Sequence, residues 1–219
     1  MVGSRRSGRP HRRFEAALRR KGYSVAAGVD EAGRGCIAGP VVAAAVVLPV
    51  RVPPGLDDSK RLTPQRRSRL LELLREAGAA IGIAAIGPGT IDRINIREAS
   101  FEAMRRAIAH LPSPPEVLLV DGFEIPGLEI PQRALVKGDQ RCLSVAAASI
   151  VAKVCRDEMM IALGQRFPEY GFEVHKGYPT RAHLEAVARH GPLPVHRLSF
   201  TPVRRLATVS GARPRPVAG

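Results

Sequence analysis

Apolar residues in this chain come in short runs, separated by Gly, Pro and charged clusters, and the period of the runs alternates between strand-like and helix-like. YSVAAGVD (23–30), GPVVAAAVVLPV (39–50) and AAIGIAAIG (79–87) are near-continuous apolar runs and read as buried strands. EVLLVDG (116–122) reads as a fourth strand and RALVKGD (133–139) as a shorter fifth. Between them lie helical signals. A short helix fits residues 14–21, and Thr63 with Pro64 opens another that stops at Gly78. Ile96, Phe101, Met104 and Ile108 recur at helical spacing over residues 95–110, ahead of Pro112. Residues 144–163 form a long helix rich in Ala, Ser and Val, whose small side chains permit close packing on a sheet. Residues 167–179 read as loop, and Thr180 caps a further helix reaching about His190.

These elements predict an α/β domain with a mixed central sheet flanked by helices and a small helical C-terminal region. The expected division is a basic N-terminal arm with its short helix at 1–22, a main domain at 23–203 that includes the C-terminal helical region, and a disordered tail at 204–219.

Composition narrows the class of partner. The 219 residues carry a formal net charge of +14, which favours a polyanion such as nucleic acid. Arg outnumbers Lys, so compositional bias also contributes to the charge. Cys36, Cys142 and Cys155 show no C-x-x-C or Cys/His ligand spacing, which argues against a disulfide scaffold or structural zinc and places the chain in the reducing cytoplasm. The longest apolar stretch, 41–50, is too short for a membrane helix. MVGSRRSGRPHRRF lacks an apolar signal core and reads as a flexible basic arm, with an organelle transit peptide as the alternative. No sustained heptads occur, so a monomer is expected.

Acids give the chemistry. Three apolar runs end in acid, at Asp30-Glu31, at Asp121 and at Asp139. Open α/β sheets bind ligands beyond the carboxyl ends of their strands, so parallel neighbours would gather these four carboxylates at one edge. Such a cluster calls for divalent cations, and hard oxygen ligands suit Mg²⁺ or Mn²⁺, two of which would clamp a phosphodiester. Asp121-Gly122 taken alone also fits an ordinary turn. Gly33-Arg34-Gly35 follows the first acids directly, where bare backbone N–H groups and an arginine suit a nucleic-acid backbone.

The segments DEAGRG, AGPVVAAAVVL, DDSKRLT, LLVDG, VKGD, SVAAASIVAKVCRD and HKGYPTRAH resemble, in order and spacing, the motifs of the ribonuclease HII family, over residues 25–203. The resemblance implies a ribonuclease H-like fold and metal-dependent endonucleolytic cleavage of the RNA strand of RNA–DNA hybrids. It extends this to single ribonucleotides embedded in duplex DNA, cut on the 5′ side to leave a 3′-hydroxyl and a 5′-phosphate. By the same resemblance Asp30, Glu31, Asp121 and Asp139 are the metal-binding carboxylates. Gly33, Arg34 and Gly35 form the loop that reads the 2′-hydroxyl through backbone contacts, and Tyr178 helps recognise the DNA–RNA junction. From the residues alone, Tyr178 fits a loop-packing aromatic equally well. Ser59 and Lys60 match a segment near a phosphate of the bound strand, although an exposed Lys in a polar loop is commonly just solvated. Cys36 and Ile37 depart from the Pro and Leu common in the family, which opens the loop to oxidation at Cys36. Asp157 reads as a helix-surface acid, and His175, His183 and His190 as packing or solvated residues.

Two other readings share the charge. A binding module without activity has no use for clustered acids, and a ribonuclease HIII is disfavoured by the Gly-Arg-Gly loop and by the lack of an N-terminal extension domain. Protein partners are not legible in the sequence.

Overall fold

The computed structural model describes residues 8–210. Five strands, β1 (Ala26–Ala32), β2 (Val41–Val47), β3 (Ala80–Ile86), β4 (Val117–Asp121) and β5 (Gln132–Leu135), form one sheet in the order β3-β2-β1-β4-β5. The expected α/β class and mixed sheet flanked by helices are present. β1, β4 and β5 run parallel, with Val29 opposite Val120 and Asp121 opposite Leu135. That register sends Asp30 and Asp121 off the same end of neighbouring strands.

The helices are α1 (Arg13–Arg20), α2 (Pro64–Glu76), α3 (Pro88–Ala109), α4 (Leu143–Arg166), α5 (Phe172–His175), α6 (Arg181–His190) and α7 (Thr201–Ser210). Thr63 and Thr180 cap α2 and α6 as the sequence suggests, accepting from the amides of Arg66 and His183. α3 is two helices in series. Asn95 breaks it at φ 66° and accepts from the amides of Arg97 and Glu98, so it caps the second helix, the one legible from apolar spacing. The stretch expected as loop contains α5 and a 3-10 turn, Pro168–Tyr170. α7 takes up the start of the expected tail, and residues 211–219 lie outside the described residues.

The chain divides into two compact units. The first comprises the residues up to Glu31, Ala43–Ala84 and Met104–Val154; the second comprises Ala32–Val42, Ala85–Ala103 and the residues from Cys155 onward. In the first, Gly28 on β1 lies against the start of α4, where a Cβ would overlap the main chain of Ser144 and Val145. This is the close helix–sheet approach that small residues allow, and Ala146, Ala147, Ala148 and Ala152 are fully buried there. Leu18 of α1 packs with Val117, Leu119, Leu135 and Val145. The second unit has its own core, with Met160, Tyr170, Phe172, Val187 and Leu193 packed together. Among the described residues no helix is long and apolar enough to cross a membrane.

Candidate active site

Asp30 closes the buried part of β1, is 5% exposed, and accepts the Glu31 amide on its Oδ1 at 2.8 Å. Burial pushes its carboxyl well above the usual range, the charges of Glu31 and Asp121 push it further, and a hydrogen bond from Ser149 opposes them. Asp121, at the end of β4, accepts the Gly138 amide on its Oδ1 at 2.6 Å. Its carboxyl is also raised, first by burial; the Gly138 amide pulls it down and the charge of Asp139 pushes it up.

Asp139 is not a strand-end residue. β5 stops at Leu135, and Asp139 sits beyond it in a 3-10 turn, Gly138–Gln140, entered through Lys137 in the left-handed region at φ 55°. The strand period fails there because the chain turns at Val136 and Lys137. The turn buries Asp139 to 3% exposure and brings Gly138 onto Asp121.

Lys60 and Ser59 belong to a second 3-10 turn, Ser59–Arg61, capped by the buried Asp58, which accepts the Lys60 amide at 2.9 Å. Lys60 Nζ donates to Asp139 Oδ2 at 3.0 Å. Burial draws that ammonium down, but the hydrogen bond and charge of Asp139, with Asp58 and Asp30, leave it raised. Ser59 is buried, its hydroxyl 2.9 Å from that of Ser149. Arg67 ties the turn down by donating to the carbonyls of Ser59 and Leu62. Asp58, Ser149 and Gln140, which donates to Asp58 at 3.1 Å, join the cluster without having been singled out in the sequence. A serine on an alanine-rich helix face was the one available signal.

The acids offer hard oxygen donors with more negative charge than Lys60 balances, so their chemistry suits Mg²⁺ or Mn²⁺. As the side chains stand, no group of three or more acidic, histidine or cysteine residues among the described residues is gathered tightly enough to hold an ion.

Gly33, Arg34, Gly35 and Tyr178 fall in the second unit. Arg34 and Gly35 are exposed, and a Cβ on Gly35 would meet nothing within 4 Å. Gly33 is buried at φ +95°, where a Cβ would overlap the Arg156 side chain. Tyr178 is 44% exposed, and its hydroxyl is raised by burial and by the neighbouring Cys36 thiol. Cys36 itself is fully buried, which shields it from the oxidation its sequence position suggests.

Histidines support the tyrosine turn from behind. The Leu193 amide donates to His196 Nδ1 at 2.9 Å, which leaves the His196 proton on Nε2, facing His183 Nε2 at 3.1 Å. His183 then donates from Nδ1 to the Tyr178 carbonyl at 2.9 Å, the tautomers being assigned from this network. Burial holds His183 down to about 4 and His196 to about 3. His183 therefore has the packing role expected of it.

The family model described as Ribonuclease HII matches residues 27–203. The chain belongs to the ribonuclease HII family. Curated ribonucleases HII from Geotalea uraniireducens and Agrobacterium fabrum are 49% and 51% identical over 192 and 194 residues, covering 87% and 88% of this chain and 89% of each relative. The crystal structure of ribonuclease H2 from Pyrococcus horikoshii superposes with a TM-score of 0.73 at 27% identity, over 86% of this chain and all of that one. As a ribonuclease HII this chain is an endoribonuclease.

Proposed function

We propose that this ribonuclease HII cuts RNA paired with DNA and incises duplex DNA on the 5′ side of single embedded ribonucleotides, leaving a 3′-hydroxyl and a 5′-phosphate. The observation that carries the reading is the gathering of Asp30, Asp121 and Asp139, with Lys60 among them, at the parallel ends of β1 and β4. Asp30, Glu31, Asp121 and Asp139 would hold two divalent cations. Bound there, Mg²⁺ or Mn²⁺ supplies activation of a water for in-line attack on phosphorus and neutralises charge on the departing 3′-oxygen.

The chain's own residues set the stage for that chemistry. Ser149 and the Glu31 amide orient Asp30, and the Gly138 amide orients Asp121, so neither carboxylate has to reorganise as charge develops. Lys60 offsets part of the repulsion at Asp139. Gly35, exposed and with open space around it, supports a main-chain contact to the 2′-hydroxyl, the group that distinguishes RNA from DNA. The exposed face of Tyr178 supports stacking at the junction. The surplus of Arg and Lys supplies phosphate contacts that weaken with salt.

The test is a labelled DNA duplex with one ribonucleotide, incubated with and without Mg²⁺ or Mn²⁺, beside an all-DNA duplex. Metal-dependent cutting 5′ of the ribonucleotide, absent on all-DNA, is the expected result. Binding without cutting in either metal overturns the reading.

A further inference from the structure

Arg156 and Arg197 are both fully buried, an expensive place for a guanidinium. Their hydrogen-bond partners are main-chain carbonyls, and Arg197 also lies over the Phe200 ring. Arg156 donates through Nε to Pro40 at 3.0 Å, through Nη1 to Lys176 at 2.9 Å and through Nη2 to Ala38 at 3.1 Å. Arg197 donates through Nε to Gly39 at 3.1 Å and through Nη1 to Arg34 at 3.0 Å, while its Nη2 is buried without a hydrogen-bond partner. Burial lowers Arg197 to about 10, so it remains a cation at neutral pH. Neutral carbonyls do not repay the desolvation of a cation as carboxylates do, so stability alone does not account for two such residues.

What they do have in common is the loop they bridge. The same segment is laced by main-chain bonds, Ile37 N to Gly177 O at 2.9 Å, Arg197 N to Ile37 O at 2.8 Å and Gly39 N to Val195 O at 2.8 Å. Its glycines are fitted to the lacing. A Cβ on Gly33 would overlap Arg156, and one on Gly177 would lie 2.6 Å from the Ala38 carbonyl oxygen. Residues 34–40, 176–177 and 195–197 are thus one hydrogen-bonded block, with Arg34 and Gly35 exposed at one side and Tyr178 leaving from another.

We propose that Arg156 and Arg197 are positioning residues that fix the Gly33–Gly35 loop against the Tyr178 turn and thereby set the selectivity for ribose over deoxyribose. This rests on the reading that the loop and Tyr178 meet the substrate. The planar fork of a guanidinium spans several carbonyls at fixed spacing, which the single ammonium of lysine cannot do.

The test compares R156K and R197K with the wild-type full chain. Two quantities are read: exchange of the Ile37, Gly39 and Gly177 amides, and turnover on a duplex with one ribonucleotide. Exchange at Ile37 and Gly39 should accelerate roughly tenfold or more. Turnover should fall roughly tenfold to a hundredfold, with KM within about twofold, because misplacement costs kcat while phosphate contacts hold the duplex. Faster exchange with unchanged turnover overturns the link to selectivity, and lost turnover with unchanged exchange overturns the pinning. G35A and Y178A run in parallel separate the two readings. If both cleave normally while exchange rises in the lysine variants, the substrate assignment has failed and the pinning stands. Should a lysine variant not fold, exchange in the wild type decides, since Ile37 and Gly39 amides exchanging like an open loop overturn the block.

Discussion

Lys60 Nζ lies 3.0 Å from Asp139 Oδ2, with the lysine side chain 76% exposed and the aspartate 4%. A solvent-facing cation thus rests on a buried anion of the acid cluster. Because that cation offsets charge that a divalent ion would otherwise meet, Lys60→Met should lower the half-saturating Mg²⁺ concentration several-fold. Titration calorimetry of the metal into each protein checks the direction. Weaker metal binding in the variant would show that Lys60 supports the ion instead of competing with it.

Asp121→Asn keeps an Oδ1 acceptor for the Gly138 amide and removes one charge from a repelling group. Cleavage should drop by several orders of magnitude, since an oxygen proposed to bind the metal has lost its charge. Without metal the variant should melt no lower than the wild type, because a like-charge contact has been relieved. Cleavage near wild-type turnover at saturating Mg²⁺ would remove Asp121 from the metal site.

A Cβ on Gly28 would overlap the main chain of Ser144, and neither backbone can give way cheaply. Gly28→Ala should cost roughly 3 kcal/mol or more, as overpacking of a rigid contact does. Denaturant midpoints of G28A and the wild type measure it, with G35A, open on all sides, as the unaffected control.

The buried pair His183 and His196 titrates far below the ordinary histidine value, at about 4 and about 3. The unfolded chain therefore binds protons first as pH falls. Stability is full above about 6.5 and is lost as pH drops from there through the folded values, by a few kcal/mol. Urea unfolding at pH 7 and pH 5 should show the loss. His196→Gln should lower stability at pH 7 yet flatten its dependence on pH. An unchanged slope would mean that other groups carry the acid sensitivity.

Asp30 and Asp121 were legible because their strands are short apolar runs ending in acid, and parallel register did the rest. Asp139 was legible as a residue but not as a position, since the turn at Val136 and Lys137 cannot be told from a continuing strand by apolar pattern. Asp58, Ser149 and Gln140 escaped because their contacts join segments far apart in the chain, Gln140 to Asp58 spanning 82 positions. Arg156 and Arg197 escaped for another reason. In an arginine-rich chain nothing local marks the two that are buried, and only the fold shows which carbonyls need a donor. α5 and the turn before it were missed because so few residues carry no helical period.

Glu15 of α1 accepts the Ser144 amide on its Oε1 at 2.8 Å and the Cys142 thiol at 3.1 Å. Its charge, after burial, helps push that thiol up to about 12. The first turn of α4, which follows closely on the turn bearing Asp139, is therefore capped by a side chain from outside the stretch that the family model matches. A shortened chain beginning at residue 27 would keep every proposed catalytic carboxylate and still leave the buried Ser144 amide without its acceptor. The stretch that the family model matches and the stretch that satisfies the buried amides are different lengths of this polypeptide.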